Sequence, residues 1–382
     1  MPPPAPLAAV VRRFPLLGRP RPACPALTLR IKEIEDAVKT AKSKAEDGMA
    51  DAAHALNKAA LIASDSGMAD LARHLCWQHI DAYRRLPRPL TVLEGRYLLE
   101  PVLNLARLDL RAANGDTALH LLDAMFQAVI RGSDLVVGAQ TLPTATLDGG
   151  AGERRELREW TWLQLIGEGV RALGLAGRWT DAADHARRHK GIGLHLMEGR
   201  QAAIIAHCTA GDLAEGRAMI AKSSLTQPWE QEVAACLQIM CTELTDALTA
   251  PHLTAAVARY SARKPPVGYA SYHARLGLTI ATLAHTISPD VAPELLNRTA
   301  EDAIDAADGY AARDIIGFRE PIDGITDNQR TNLSRLAAES GLGIGELPEP
   351  SLLRLINGAT DAAAALSSAL SSINRTGISA AT

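Results

Sequence analysis

Two clusters of residues in this chain have the types and spacing that chemistry requires. His185 and His189 stand one helical turn apart, with His195 and Glu198 close behind. Imidazoles at i and i+4 converge on one ion, so this set could hold zinc. The residue after His185 is Ala186 rather than the glutamate of a His-Glu-x-x-His site, and Arg187, Arg188 and Lys190 would repel a cation. The sequence therefore predicts a solvated basic helix face and no metal. In the second cluster Cys76 precedes His79 by three residues, with Trp77 between them. An imidazole beside a thiol is what makes a nucleophilic thiolate at neutral pH. Cys76 also belongs to an apolar stripe with Leu71, Ala72 and Leu75, where cysteine packs as a small hydrophobe. Packing is the expected role, and no catalytic residue is assigned. The chain has no Gly-x-Gly-x-x-Gly, phosphate loop or Gly-x-Ser-x-Gly, and Gly341-Leu-Gly-Ile-Gly345 follows no strand, so it reads as a loop. No cofactor is expected.

The elements that must position these residues are helices. Apolar residues make up 47% of the 382, but aromatics only 4%, and alanine fills much of the difference. Small side chains let helices approach closely, and alanine is the best helix former, so the composition predicts an all-α protein. Forty Lys and Arg against forty-three Asp and Glu give a formal charge of −3 with the signs interspersed, which supplies no basic field for direct nucleic-acid binding. The five cysteines form no Cys-x-x-Cys pair and are odd in number, which favours free thiols and a reducing, cytoplasmic setting. No run of about eighteen apolar residues appears, so no membrane span is expected.

Residues 1–27 carry prolines and arginines but no acid and read as a disordered tail. A mostly polar helix begins at Thr28, with Glu35 set to pair Lys39 on a solvated face. Helical patterning then runs to about residue 375, leaving 376–382 as a second tail. It is interrupted at 132–152, where Leu135–Val137 and Thr144–Leu147 bracket turn residues and predict a small hairpin. Further helices are expected over Gln227–Thr249, His252–Ala262, Tyr269–Ile287, Val291–Ala307 and Pro350–Ile373. Trp160 and Trp162 lie two apart on one helix and point about 200° from each other, so one of them should be exposed or line a groove.

Gly177-Arg-Trp-Thr-Asp-Ala182 and Gly211-Asp-Leu-Ala-Glu-Gly216 begin 34 residues apart with the same turn-then-helix grammar, and similar turns start at Gly67 and Gly115. Small residues stand at Ala59, Ala60, Ala63 and, five positions after Gly67, at Ala72. Over roughly residues 50–225 this resembles the tetratricopeptide repeat. The match is partial: Ile166, Gly169, Val170 and Leu173 stand where the repeat's first-helix signature belongs, and the turns at Gly67, Gly115 and Gly177 are unevenly spaced. The resemblance implies an irregular tetratricopeptide-like α-solenoid of antiparallel helix pairs, with Trp179 locking one pair and a groove that binds a peptide or protein segment. By the same resemblance, the first helix of each pair lines the groove. It offers His54, Asn57 and Asp65 before Gly67, Gln164 and Arg171 before Gly177, and Glu198 and Gln201 before Gly211. Two other readings stay open. The general style is similar to accessory proteins of ribosomal-peptide natural-product pathways, which would make the chain a peptide-modifying enzyme such as a thioether cyclase, with Cys76, His79 or the histidines near Trp179 as acid–base candidates. The third reading is the sensory domain of a regulator without its DNA-binding half.

Overall fold

The computed structural model describes residues 5–243 and 249–379, and residues 1–4 and 380–382 of the two expected tails lie outside it, as do residues 244–248 of the helix expected over Gln227–Thr249. The helices are, in order, α1 (Ala5–Val11), α2 (Leu27–Lys44), α3 (Met49–Asp65), α4 (Ala69–Arg84), α5 (Val92–Arg111), α6 (Gly115–Arg131), α7 (Ala151–Leu175), α8 (Trp179–Arg188) and α9 (Glu198–Ala210). They continue as α10 (Leu213–Ala221), α11 (Pro228–Met240), α12 (Thr249–Ser261), α13 (Ala270–Ile287), α14 (Ala292–Asp305), α15 (Gly309–Ile316), α16 (Asp327–Glu339) and α17 (Glu349–Ser379). Strands among the described residues are confined to β1 (Leu90–Thr91), β2 (Leu135–Val137), β3 (Gln140–Leu142) and β4 (Leu147–Asp148). The protein is predominantly helical, and no described helix is long and apolar enough to cross a membrane.

The chain divides into two compact units. One comprises Met1–Pro25 and Ile166–Ser340, the other Ala26–Leu165 and Gly341–Thr382, so α7 contributes a part to each. We call them the first and second unit.

In the second unit successive helices pack on one another from α2 through α6, and α17 lies against α2, α3 and α4. Close approach is possible because α3 buries Ala52, Ala53, Ala55, Ala59, Ala60 and Ala63, while α4 buries Ala72. The turn between α3 and α4 has Gly67 at φ +90°, a conformation that costs glycine nothing. Gly115 does not play that part. The left-handed residue is Ala113, at φ +61°, because the end of α5 closes with Asn114 N–H on the Asp109 carbonyl, and Gly115 instead opens α6. Helix α2 is not a solvated cap: Ile31, Ile34 and Val38 are buried, and Glu35 pairs with Arg354 of α17 (2.8 and 2.9 Å) instead of Lys39. The expected hairpin forms with a different second strand. Gly138, at φ +58°, turns the chain straight back, so Leu135 faces Leu142. Leu147–Asp148 instead pairs in parallel with Leu90–Thr91, its Leu147 side chain seated where Gly95 has no Cβ. The Gly341–Gly345 loop donates its Gly343 and Gly345 N–H groups to the Asp65 and Ser66 carbonyls, satisfying the end of α3.

In the first unit α8 packs on α9, α9 on α10 and α11, and α11 through α16 continue the stack around α13. Gly177 and Gly211 take φ +70° and +83° in their turns. Trp179 is buried with its indole under Gly174 of α7, as a residue locking α7 to α8 would be. The helix expected over Gln227–Thr249 ends at Met240. Cys208 and Cys241 form a disulfide, which departs from the expectation of free thiols; Cys24, Cys76 and Cys236 stand outside that bond and are buried. Their separation along the chain hid the pairing, because α9 and the end of α11 meet only once packed.

Candidate functional site

Residues 12–25 do not form a free tail. After α1 the chain runs through the first unit as Arg-Arg-Phe-Pro-Leu-Leu-Gly-Arg-Pro-Arg-Pro-Ala-Cys-Pro, with no helix or strand from Leu16 onward. Pro15, Pro20, Pro22 and Pro25 bar a helix, and each disfavours the α conformation in the residue before it, which keeps the run extended. Its apolar members supply the reason it is ordered: Phe14, Leu16 and Cys24 are buried, as are Val10 and Val11 at the end of α1.

An extended backbone has polar groups that no secondary structure satisfies, and the unit supplies partners for them. Gln201 of α9 grips Leu16 from both sides, accepting its N–H at Oε1 (2.8 Å) and donating from Nε2 to its carbonyl (2.7 Å). The same Nε2 donates to the Leu196 carbonyl (2.6 Å), which fixes the amide's orientation. Further on, Arg21 N–H donates to the Gly268 carbonyl (2.8 Å), and the Cys24 carbonyl accepts from Gly309 N–H (2.9 Å) and Ser340 Oγ (3.1 Å). The Arg13 carbonyl accepts from Arg275. Side chains add register. Glu198, one turn before Gln201, pairs with Arg19 (3.1 Å), and Gly18 lies so close to Trp229 that a Cβ there would fall on the indole. The Arg13 guanidinium stacks over Phe318 and that of Arg21 over Tyr310. Burial pulls Arg13 down to about 10 despite Glu320 beside it.

The loop that carries Leu196 is held by a buried carboxylate. Glu230 of α11 accepts from Thr226 N–H (3.0 Å), Gln227 N–H (2.9 Å) and Leu196 N–H (3.2 Å), and meets His195 Nδ1 at 3.1 Å. Burial alone would raise its pKa, but the Gln227 N–H and the other donors win and hold it below the usual carboxylate range.

Of the residues predicted to line a peptide groove, Arg171, Glu198 and Gln201 fall in the first unit and His54, Asn57, Asp65 and Gln164 in the second. Glu198 and Gln201 stand together on α9 and are spent on residues 16 and 19 of the chain itself. Arg171 is exposed and pairs with Glu168 (3.4 Å). Asp65 is not available to a peptide: it is buried between Arg30 (2.6 Å) and Arg111 (2.8 Å), cations that offset an acid at the unfavourable C-terminus of α3. Asn57 accepts from Asn104 Nδ2. His54 is exposed and Gln164 half-buried. The prolines alternating with arginines and apolar residues at 14–25 were the signal for the segment that sequence reasoning read as a tail.

Cys76 and His79, the thiol and imidazole of the second cluster, are both buried. Burial pushes the Cys76 thiol up to about 12 and the His79 imidazole down to about 3, so a thiol and a neutral imidazole persist at neutral pH. His185 is buried rather than solvated, its ring against Gly169 and 4.9 Å from that of His189. No group of three or more His, Cys, Asp or Glu among the described residues is placed to hold a metal. Trp160 and Trp162 are both half-buried, the former beneath the Arg96 guanidinium (5.4 Å), so neither is freely exposed. Sequence reasoning also missed a buried His273–Asp302 pair (3.0 Å), with Tyr260 stacked on the imidazole at 4.3 Å. Burial lowers the His273 pKa although Asp302 opposes it.

No protein-family model, curated protein or solved structure matches the chain.

Proposed function

We propose that this protein binds an extended peptide or protein segment, and that the α9 face of the first unit is the binding surface, with residues 12–25 of the chain as its built-in occupant. The observation that carries this reading is the two-way grip of Gln201 on the Leu16 backbone, flanked by the Glu198–Arg19 pair. Main-chain bonds of this kind give affinity for any extended segment, while the Trp229 and Glu198 contacts select small and basic residues at fixed positions. A partner of this chemistry is proline-interrupted, basic and apolar by turns. The protein then acts as a scaffold or accessory factor, built as an irregular tetratricopeptide-like solenoid of antiparallel helix pairs. The nearest-neighbour packing of successive helices and the left-handed glycines at 67, 177 and 211 support that architecture.

The test is a labelled peptide of residues 12–25 titrated against a chain that begins at Leu27. Saturable binding that Gln201→Ala weakens about tenfold is the expected result, since a buried carbonyl and N–H lose their partner. Where the shortened chain does not fold, an intact chain cut at an engineered protease site after Pro25 takes its place, and exchange of the cut segment for labelled peptide is read. Absence of binding and of exchange would overturn the reading.

A further inference from the structure

Several arginines of the first unit meet a carboxylate: Arg12 and Arg13 meet Glu320, Arg19 meets Glu198, Arg171 meets Glu168, and Arg313 meets Asp314. Arg21 and Arg275 do not. Among the described residues neither has a carboxylate within ion-pair distance: Arg21 stacks on Tyr310 and Arg275 donates to the Arg13 carbonyl. These two guanidiniums line the same cavity, about 50 Å³ in volume, together with Arg19, Ser271 and Tyr272. The Ser271 hydroxyl makes no hydrogen bond among the described residues, whereas that of Tyr272 is committed to the Trp229 carbonyl and Glu232. The half-buried Arg275 guanidinium is costly to leave without a counter-charge, and the exposed Arg21 guanidinium on the same small cavity adds repulsion. The cations outnumber the acids around Arg275: burial, then Arg171, Arg21 and Arg313, disfavour its charge, with Asp314 the carboxylate that opposes them.

We infer that the cavity between Arg21 and Arg275 is an anion site for a phosphate-type oxyanion, with Ser271 as a hydroxyl donor and Arg19 at its edge. Guanidinium groups present paired N–H donors that match such oxygens. The site does not rest on the peptide-binding reading, since it is assembled with residues 16–21 in place, and a peptide that displaced them would dismantle it.

The experiment uses the intact chain and inorganic phosphate as probe, with sodium chloride at matched ionic strength as the control and O-phosphoserine as a second arm. Calorimetric titration is expected to show saturable phosphate binding, weakened about tenfold in Arg21→Gln and partly restored in Arg21→Lys. Arg21 is exposed, so these variants keep the fold, which thermal unfolding in chloride verifies. Binding of phosphoserine without phosphate would place the anion on a modified side chain, and binding of both a free anion. No saturable binding in either arm, or equal binding by wild type and Arg21→Gln, would overturn the site.

Discussion

At the scale of single residues, burial decides which of the chemically capable groups keep their chemistry. His79 shows this most sharply, because both ring nitrogens are buried with no hydrogen-bond partner. Its imidazole is depressed from the ordinary 6.5 to about 3, so between those values the unfolded chain binds a proton that the folded chain does not. Stability must therefore fall as pH drops through that window, by up to about 5 kcal/mol from this residue, and must be unaffected by it above neutrality. Urea denaturation of wild type and His79→Leu from pH 7 to 4 checks this, with a flatter profile expected in the variant. A parallel decline in both would assign acid sensitivity elsewhere. The sequence allowed Cys76 to be read as packing, because a cysteine in an apolar stripe is sufficient evidence. It could not tell that Asp65 would be captured by Arg30 and Arg111, which stand 35 and 46 positions away from it.

At the scale of elements, the 3.6-residue period and the helix breakers made most helices legible. The helices near Tyr269–Ile287 and Val291–Ala307 lie within two residues of their expected ends, because proline and glycine punctuate both. Helix α2 was misjudged for a physical reason. Its charged residues dominate its composition, yet three β-branched residues at 31, 34 and 38 keep one face apolar, and α17, more than three hundred positions later, covers it. The small residues at helix crossings were visible from the start. Ala72 and Ala182 are both fully buried, so replacing either with leucine forces added methylenes into a filled contact. Each substitution is expected to destabilise the fold by about 1–3 kcal/mol. Thermal unfolding reads this directly, and unchanged melting in both variants would mean that these alanines face adaptable space.

At the scale of the whole molecule, the chain contributes residues 1–25 to the first unit, leaves it for the second, and returns at Ile166. That discontinuity was not legible, because local pattern carries no record of which distant helices a proline-rich run will meet. It also makes the occupant of the α9 face a tethered competitor. A segment joined to its own site by a linker acts at an effective concentration of the order of millimolar, without any change in the contacts themselves. If a free peptide of residues 12–25 binds the chain that begins at Leu27 with a micromolar Kd, the intact chain must bind it about a thousandfold more weakly. Gln201→Ala weakens tethered and free segments alike, so the affinity of the shortened chain falls while that of the intact chain, set by the effective concentration, stays nearly unchanged, and the ratio between the two narrows. Parallel titrations of the intact and shortened chains measure that ratio. Equal affinity in the two would show that the peptide docks on a surface other than the one residues 12–25 occupy, and the assignment of Glu198 and Gln201 as the gripping pair would then fail.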